Sequence, residues 1–165
     1  MRQQVYSLKV DNNPGVLSRI SGLFSRRGYN IESITAGAIP GDKYTRITVV
    51  ATGDEHILSQ IEKQVRKLED VREITLLDEN ESVARELILV KIRVSPDKRG
   101  EVIALADIFR AKVVDLGVDS VIIELTGSNS KLCGFINLLE DYEVQELVRT
   151  GITALSRGTK GTCVS

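Results

Sequence analysis

The 165-residue chain contains no tryptophan, and aromatic residues make up only 4% of it. Its core therefore has to be assembled from Ile, Leu, Val and Ala, with little help from rings. The shortage also speaks against a base-stacking RNA surface, which needs aromatics presented on strands; here the predicted strands offer mainly Tyr6 and Tyr44. The single histidine, His56, stands among Asp54, Glu55 and Gln60. It reads as a solvated surface group, because a metal ligand or general base needs convergent partners. The two cysteines, Cys133 and Cys163, are far apart and show no metal-ligand spacing. Cys133 sits beside Leu132 and is expected to be a buried packing residue, with no histidine to activate it. Long apolar runs are missing too. No window approaches the roughly 18 residues of a membrane span, and Met1 to Tyr6 offers no apolar stretch for a signal peptide. We therefore expect a cytoplasmic chain with reduced thiols. An excess of one charge is also absent. Lys plus Arg is 22 and Asp plus Glu is 23, for a formal net charge of -1. Neither a nucleic acid nor an anionic membrane surface is an expected partner.

Phosphate-binding signatures are likewise weak. Gly127-Ser128-Asn129-Ser130-Lys131 lacks the Walker spacing, and Ser128 is better read as a helix cap. Gly151, Gly158 and Gly161 have no strand-loop-helix context for a dinucleotide. Carboxylates are scattered among Lys and Arg on helix faces. The sequence nominates no catalytic residue; alkylation of Cys133 that abolished an activity would be needed to revive an enzyme reading.

What is present is an order of elements that occurs twice. Val5 to Val10 alternates as a strand. Asp11-Asn12-Asn13-Pro14-Gly15 turns into a helix, with Asn13 expected at the N-cap and Pro14 at the first helical position. Val16, Leu17, Ile20, Leu23 and Phe24 recur at helical spacing until Gly28. Ile31 to Ile39 and Tyr44 to Ala51 read as strands around a turn at residues 40–43. A second helix follows Gly53-Asp54, and Val71 to Leu77 is the fourth strand. After the polar stretch 78–82 the pattern returns: strand 86–94, helix from 99 to Phe109, strands 112–116 and 120–125, helix 129–139, strand 143–150, then an irregular tail with one short apolar run. These predict an α+β protein of two ferredoxin-like βαββαβ units, residues 1–78 and 79–165. In each unit the first and third strands are expected in the centre of the sheet and the second and fourth at its edges. The edge strand at 31–39 carries Glu32 as its only charge. An uncharged, β-rich edge invites either aggregation or a symmetric dimer, and the dimer is the useful outcome.

One loop resembles a site. A helix N-terminus presents unpaired N–H groups and partial positive charge, a natural cradle for a carboxylate. Gly15 removes a side chain where a ligand must approach backbone. Asn12 can offer its amide oxygen to an ammonium group. Asn30, just past Gly28, could face the helix start of a neighbouring chain if two copies pair through the edge strand. Val16, Leu17 and Ile31 would leave room for a branched aliphatic side chain. Ser18 either helps the site or faces solvent. Taken alone, each of these residues is equally an ordinary turn or helix-start residue.

The same residues carry a family resemblance. Asn12-Asn13-Pro14-Gly15-Val16-Leu17-Ser18-Arg19 resembles the opening motif of ACT domains, which bind amino acids and regulate metabolic enzymes. Gly22-Leu23-Phe24-Ser25-Arg26-Arg27-Gly28-Tyr29-Asn30-Ile31-Glu32-Ser33 is similar to the signature of the small subunit of acetohydroxyacid synthase. Arg85 to Ile92, Arg149-Thr150-Gly151 and Ala154 to Gly158 resemble its C-terminal domain. The resemblance implies that residues 1–78 are an ACT domain, an antiparallel sheet backed by two helices, that dimerises. It implies a non-catalytic subunit that activates a catalytic large subunit and confers feedback inhibition, usually by valine. Thiamine diphosphate, magnesium and flavin are then expected on the catalytic subunit, and no cofactor on this chain. The implied effector-contacting positions are Asn12, Gly15, Val16, Leu17, Asn30 and Ile31. The second unit's loop, Ser95 to Gly100, is more charged and lacks paired amides; it serves either assembly or a second ligand. A free-standing amino-acid sensor with another client would share the pocket but not the whole-chain likeness.

Overall fold

A computed structural model of the chain describes residues 2–41 and 43–158. Met1, Asp42 of the predicted turn, and Cys163 and Gly161 of the tail lie outside the described residues. Contacts divide the chain into two compact units. One comprises the residues up to Ala84 together with the segment from Ile152 onward; the other is Arg85–Gly151. This division differs from a cut at 78/79 for a local reason. The polar stretch is only a tight turn, in which Asp78 Oδ1 accepts from the N–H of Asn80 and Asp78 O accepts from Ser82 Oγ. The chain is already extended by Ser82.

The first unit runs β1 (Arg2–Asp11), α1 (Val16–Arg27), β2 (Asn30–Ala38), β3 (Tyr44–Gly53), α2 (Glu55–Val65) and β4 (Val71–Leu77). Its sheet order is β2-β3-β1-β4, so the expected centre and edges are found. β1 and β3 pair antiparallel without interruption from Arg2↔Gly53 to Asp11↔Tyr44. β2 lies on the other side of β3, with a register shift between Ile31 and Ser33 that leaves Glu32 as the extra residue. Period-two alternation aims Tyr6, Leu8 and Val10 of β1 and Ile47, Val49 and Ala51 of β3 at the helices. Ile20, Leu23 and Phe24 of α1 and Leu58, Ile61 and Val65 of α2 close over them.

The ends of α1 are set by two left-handed glycines. Asn13 does not cap the helix and Pro14 is not in it. The N-cap residue is Gly15, at φ 85° and ψ -4°, and Val16 N–H donates to Asn13 O at 3.4 Å. Those dihedrals are what the third position of a type II turn demands, with Pro14 ahead of it where proline is favoured. The proline–glycine pair therefore makes a turn before the helix and not its first residues. At the other end Gly28 (φ 68°) donates to Ser25 O at 3.2 Å, and Tyr29 N–H donates to Phe24 O at 3.0 Å. This is a Schellman closure, and it carries its usual apolar contact: Phe24 and Tyr29 meet edge to face at 5.9 Å. α2 begins as expected, with Asp54 Oδ1 accepting from Ile57 N–H at 2.8 Å.

The second unit repeats the order with β5 (Ser82–Arg93), α3 (Arg99–Ile108), β6 (Lys112–Leu116), β7 (Ser120–Gly127), α4 (Asn129–Leu138) and β8 (Glu143–Arg149), arranged β6-β7-β5-β8. Ile88, Val90 and Ile92 face Val102, Ala106, Leu132 and Phe135. Phe135 is fully buried and meets Phe109 edge to face at 5.2 Å. Ser128 caps α4, its Oγ accepting from Lys131 N–H. The tail expected to be irregular contains a further strand, β9 (Thr153–Ser156), which pairs with the start of β5 and lies against β1 and β4. Arg157 fixes it, donating from its N–H to Glu81 O at 2.8 Å and from Nε to Ser82 O at 3.1 Å. Among the described residues, no helix is long and apolar enough to cross a membrane.

Two expectations follow. Phe135→Ala should cost about 3–5 kcal/mol, the usual penalty for emptying a buried aromatic site, read as a lowered urea midpoint. Tyr6 is buried beneath α2 and donates its hydroxyl to Leu58 O at 2.9 Å. Burial first, and the nearby Glu62 carboxylate second, push its phenol up to about 12. The folded state thus holds a proton that the unfolded state releases near pH 10. That contribution should be intact below pH 10 and lost as the pH climbs through 12. Ultraviolet titration should show one late-ionising tyrosine, absent in Tyr6→Phe.

Candidate functional site

The loop between β1 and α1 is held from both sides. Asn12 N–H donates to Lys43 O at 3.0 Å, tying the loop to the β2–β3 turn. Asn12 Oδ1, the oxygen expected to meet an ammonium group, accepts from Thr45 Oγ1 at 3.0 Å. Asp11 N–H donates to Asp70 O at 2.9 Å, tying the loop to the start of β4. Two ion pairs brace that junction. Arg72 grips the Asp11 carboxylate with Nε and Nη2, and Arg19 Nε lies 2.6 Å from Asp70 Oδ2. Hydrogen bonding from Arg72 holds the Asp11 carboxyl below its ordinary value, and the bond to Asp70 raises Arg19 above its own. Neither pair was visible in the sequence, because its members stand 61 and 51 positions apart. Only the antiparallel placement of β4 beside β1 brings them together.

Of the six positions singled out, Asn12 and Gly15 are exposed on this loop and Leu17 follows with 47% of its surface open. Val16 points the other way: it is 5% exposed and belongs to the core beside Ile20. It seats the helix and has no surface with which to line a pocket. Asn30 and Ile31 are elsewhere. Asn30 opposes Thr52 at the far end of β3, whereas Asn12 bonds Thr45 near its beginning. Seven residues of antiparallel strand separate those points, about 24 Å. One copy of the chain therefore cannot bring the two amides onto one small ligand. Asn30 Nδ2 donates to Glu32 Oε1 at 2.7 Å, and Thr52 Oγ1 donates to the same oxygen at 2.9 Å. The bulged Glu32 thus orients Asn30 at the sheet edge. Ile31 is half-buried against the core cluster.

The remaining candidates fall away from this loop. His56 is exposed on α2, its Nε2 3.1 Å from Gln60 Nε2. A shallow concavity runs along that helix past Lys63 and Arg66. Cys133 is partly exposed and not buried as expected, its Sγ 3.6 Å from Asn129 Oδ1. It occupies the outer flank of α4, while Leu132 and Phe135 take the core positions. The second unit has its own polar anchor. Arg149 donates from Nε and Nη2 to Glu86 at 2.9 and 2.7 Å and from Nη2 to Asn129 Oδ1 at 3.0 Å. Glu86 is only 7% exposed, so this arginine neutralises a buried charge and locks β8 to β5. Arg99, the first residue of α3 after the loop corresponding to that of the first unit, donates from Nη2 to Gly117 O at 2.8 Å and also to Val118 O. Its side chain ties that loop to the β6–β7 turn. Among the described residues, no three His, Cys, Asp or Glu side chains converge to hold a metal ion.

Comparison with known proteins places this architecture. Residues 6–73 match the family model of the AHAS small subunit-like ACT domain, and residues 85–158 match that of the small subunit of acetolactate synthase. A probable acetolactate synthase small subunit from Archaeoglobus fulgidus is 46% identical over 151 residues, 92% of this chain and 94% of that one. The acetolactate synthase small subunit of Haemophilus influenzae is 42% identical over 159 residues, 96% and 98% of the two chains. The crystal structure of the acetolactate synthase small subunit from Thermotoga maritima superposes with a TM-score of 0.88 at 41% identity, over 96% of this chain and 99% of that one. With likeness in sequence and in fold running through both units, the chain belongs to the acetolactate synthase small-subunit family.

Proposed function

We propose that this chain is the regulatory subunit of an acetohydroxyacid synthase, which activates a catalytic large subunit and makes it subject to feedback inhibition by valine. The observation that carries the reading is the family likeness of both units, reinforced by the geometry of the first unit's edge. Among the described residues, β2 has a paired strand only on its β3 side. A second copy added antiparallel to β2 about a two-fold axis would set Asn30 of one chain beside Ala38 of the other. Ala38 pairs with Thr45, which bonds Asn12. Two strand spacings, about 10 Å, would then separate the partner's Asn30 from Thr45, the residue that Asn12 bonds, against about 24 Å within one chain. That gap suits an α-amino acid, with its carboxylate toward the N–H groups of α1 and its ammonium between Asn12 and the partner's Asn30. Leu17 and Ile31 supply apolar surface for its side chain.

Inhibition on this scheme is a population shift. Valine bridging two copies favours one dimer arrangement, and it controls the enzyme because the catalytic subunit prefers the other. We assign the thiamine diphosphate, magnesium and flavin of the holoenzyme to the catalytic chain. This chain's task is to bind, to sense and to transmit.

Reconstitution tests the reading. Added to its catalytic subunit, the chain should raise acetolactate formation from pyruvate, and valine should reverse the gain. Asn12→Ala and Asn30→Ala should each raise the valine concentration for half-inhibition about tenfold, the value of one charge-assisted hydrogen bond, with activation largely retained. Unchanged valine sensitivity in both variants would remove this pocket, and absence of any complex would remove the subunit assignment.

A further inference from the structure

Gly15 is the point at which the loop offers bare backbone, and the structure places a guanidinium over it. A Cβ built on Gly15 would stand 3.1 Å from Arg19 Nη1. Arg19 lies one helical turn along, and its N–H donates to Gly15 O at 2.9 Å. The side chain therefore folds back across the left-handed residue toward the helix start. Its other flank is gripped by Asp70, Nε to Oδ2 at 2.6 Å and Nη2 to Oδ1 at 3.0 Å. Asp70 is the anchored member, its side chain 16% exposed against 49% for Arg19.

A guanidinium carries five N–H donors in a rigid plane, enough for two carboxylates on different edges. Asp70 takes the edge formed by Nε and Nη2. Among the described residues Nη1 makes no hydrogen bond. The edge formed by Nη1 and the second hydrogen of Nη2 is thus open, and it is the edge beside Gly15. Arg72 is held by Asp11 through Nε and Nη2 in the same way, but among the described residues only Arg19 brings its guanidinium within 4 Å of a Cβ built on Gly15, and Lys43 Nζ sits 5.1 Å from the centre of the Tyr44 ring.

We propose that Arg19 reads the carboxylate of the effector with its open edge, and that Asp70 is the positioning residue that holds the guanidinium for it. The inference rests on the effector-site reading above and adds to it the group that selects an α-carboxylate. Backbone N–H groups at a helix start accept any anion, whereas a planar edge favours a planar, two-oxygen partner. The effector need not displace Asp70, so binding leaves the α1–β4 brace intact.

The test compares L-valine with L-valinamide, which lacks the carboxylate, by calorimetric titration of the full chain, with valinamide measured by competition. The unmodified chain should prefer valine by about tenfold to a hundredfold. Arg19→Gln should lose that preference, binding valine about as weakly as the unmodified chain binds valinamide while its affinity for valinamide barely changes. Arg19→Lys, which keeps the charge without the planar edge, should recover part of it. Asp70→Asn leaves Arg19 in place but unanchored, so it should weaken valine and spare valinamide. Equal weakening of both ligands in Arg19→Gln and Asp70→Asn would mean a merely structural pair and overturn the inference, as would an undiminished preference in Arg19→Gln. Failure of the unmodified chain to bind valine is a different result, since it removes the effector reading itself.

Discussion

The uninterrupted pairing of β1 with β3 is the constraint on which the first unit's behaviour depends. Ten residues of β1 run in register against ten of β3. The end of β1 that opens into the turn at Gly15 is fixed by this at one end of the sheet. The start of β2, which follows α1, is delivered to the other end. A helix of twelve residues spans about 18 Å at the rise of an α-helix, so α1 covers most of that separation along the opposite layer. No side-chain rearrangement within a single copy could bring Asn12 and Asn30 together. A small ligand in contact with both amides would have to be shared by two copies of the chain.

Much of this was legible from the sequence because it rests on period and punctuation. Alternation in β1 and β3 and the 3.6-residue stripe on α1 named the core. Gly28, Asp54 and Ser128 fixed helix ends by local chemistry that needs nothing distant. The misreadings share a different origin. Asn13-Pro14-Gly15 fits two turn grammars, an N-capped helix and a type II turn, and the choice is made by the anchoring of Asn12 and Asp11 to segments far along the chain. Cys133 was judged by its neighbours in sequence, yet on a helix adjacent residues face different ways. β9 is four residues long and becomes a strand only because a partner is waiting in β5. Arg19 looked like one more charge on a helix face until Asp70 was placed beside it.

The two units show how one architecture is put to different use. In the first, the loop after the opening strand ends in a left-handed glycine and leaves backbone and an arginine edge exposed. In the second, Arg99 at the start of α3 reaches the neighbouring turn, its Nη2 held by the carbonyls of Gly117 and Val118 while its Nε is buried without a hydrogen-bond partner among the described residues. The second unit's other conspicuous arginine, Arg149, is spent on a buried carboxylate. A guanidinium can select a ligand only if some of its donors are left over where a ligand can arrive, as the Nη1 edge of Arg19 is beside Gly15.

The return of the chain to the first unit has a consequence for how the protein is made. Residues 152–158 follow the whole of the second unit in sequence, yet β9 lies against β1 and β4, and Ala154 is buried there. A ribosome therefore delivers this strand of the first unit only after the second unit has emerged. During synthesis the N-terminal sheet must wait in an incomplete form, its surface for β9 bare, while the second unit folds between its two halves. For that interval the apolar surface that Ala154 later covers stays open to water.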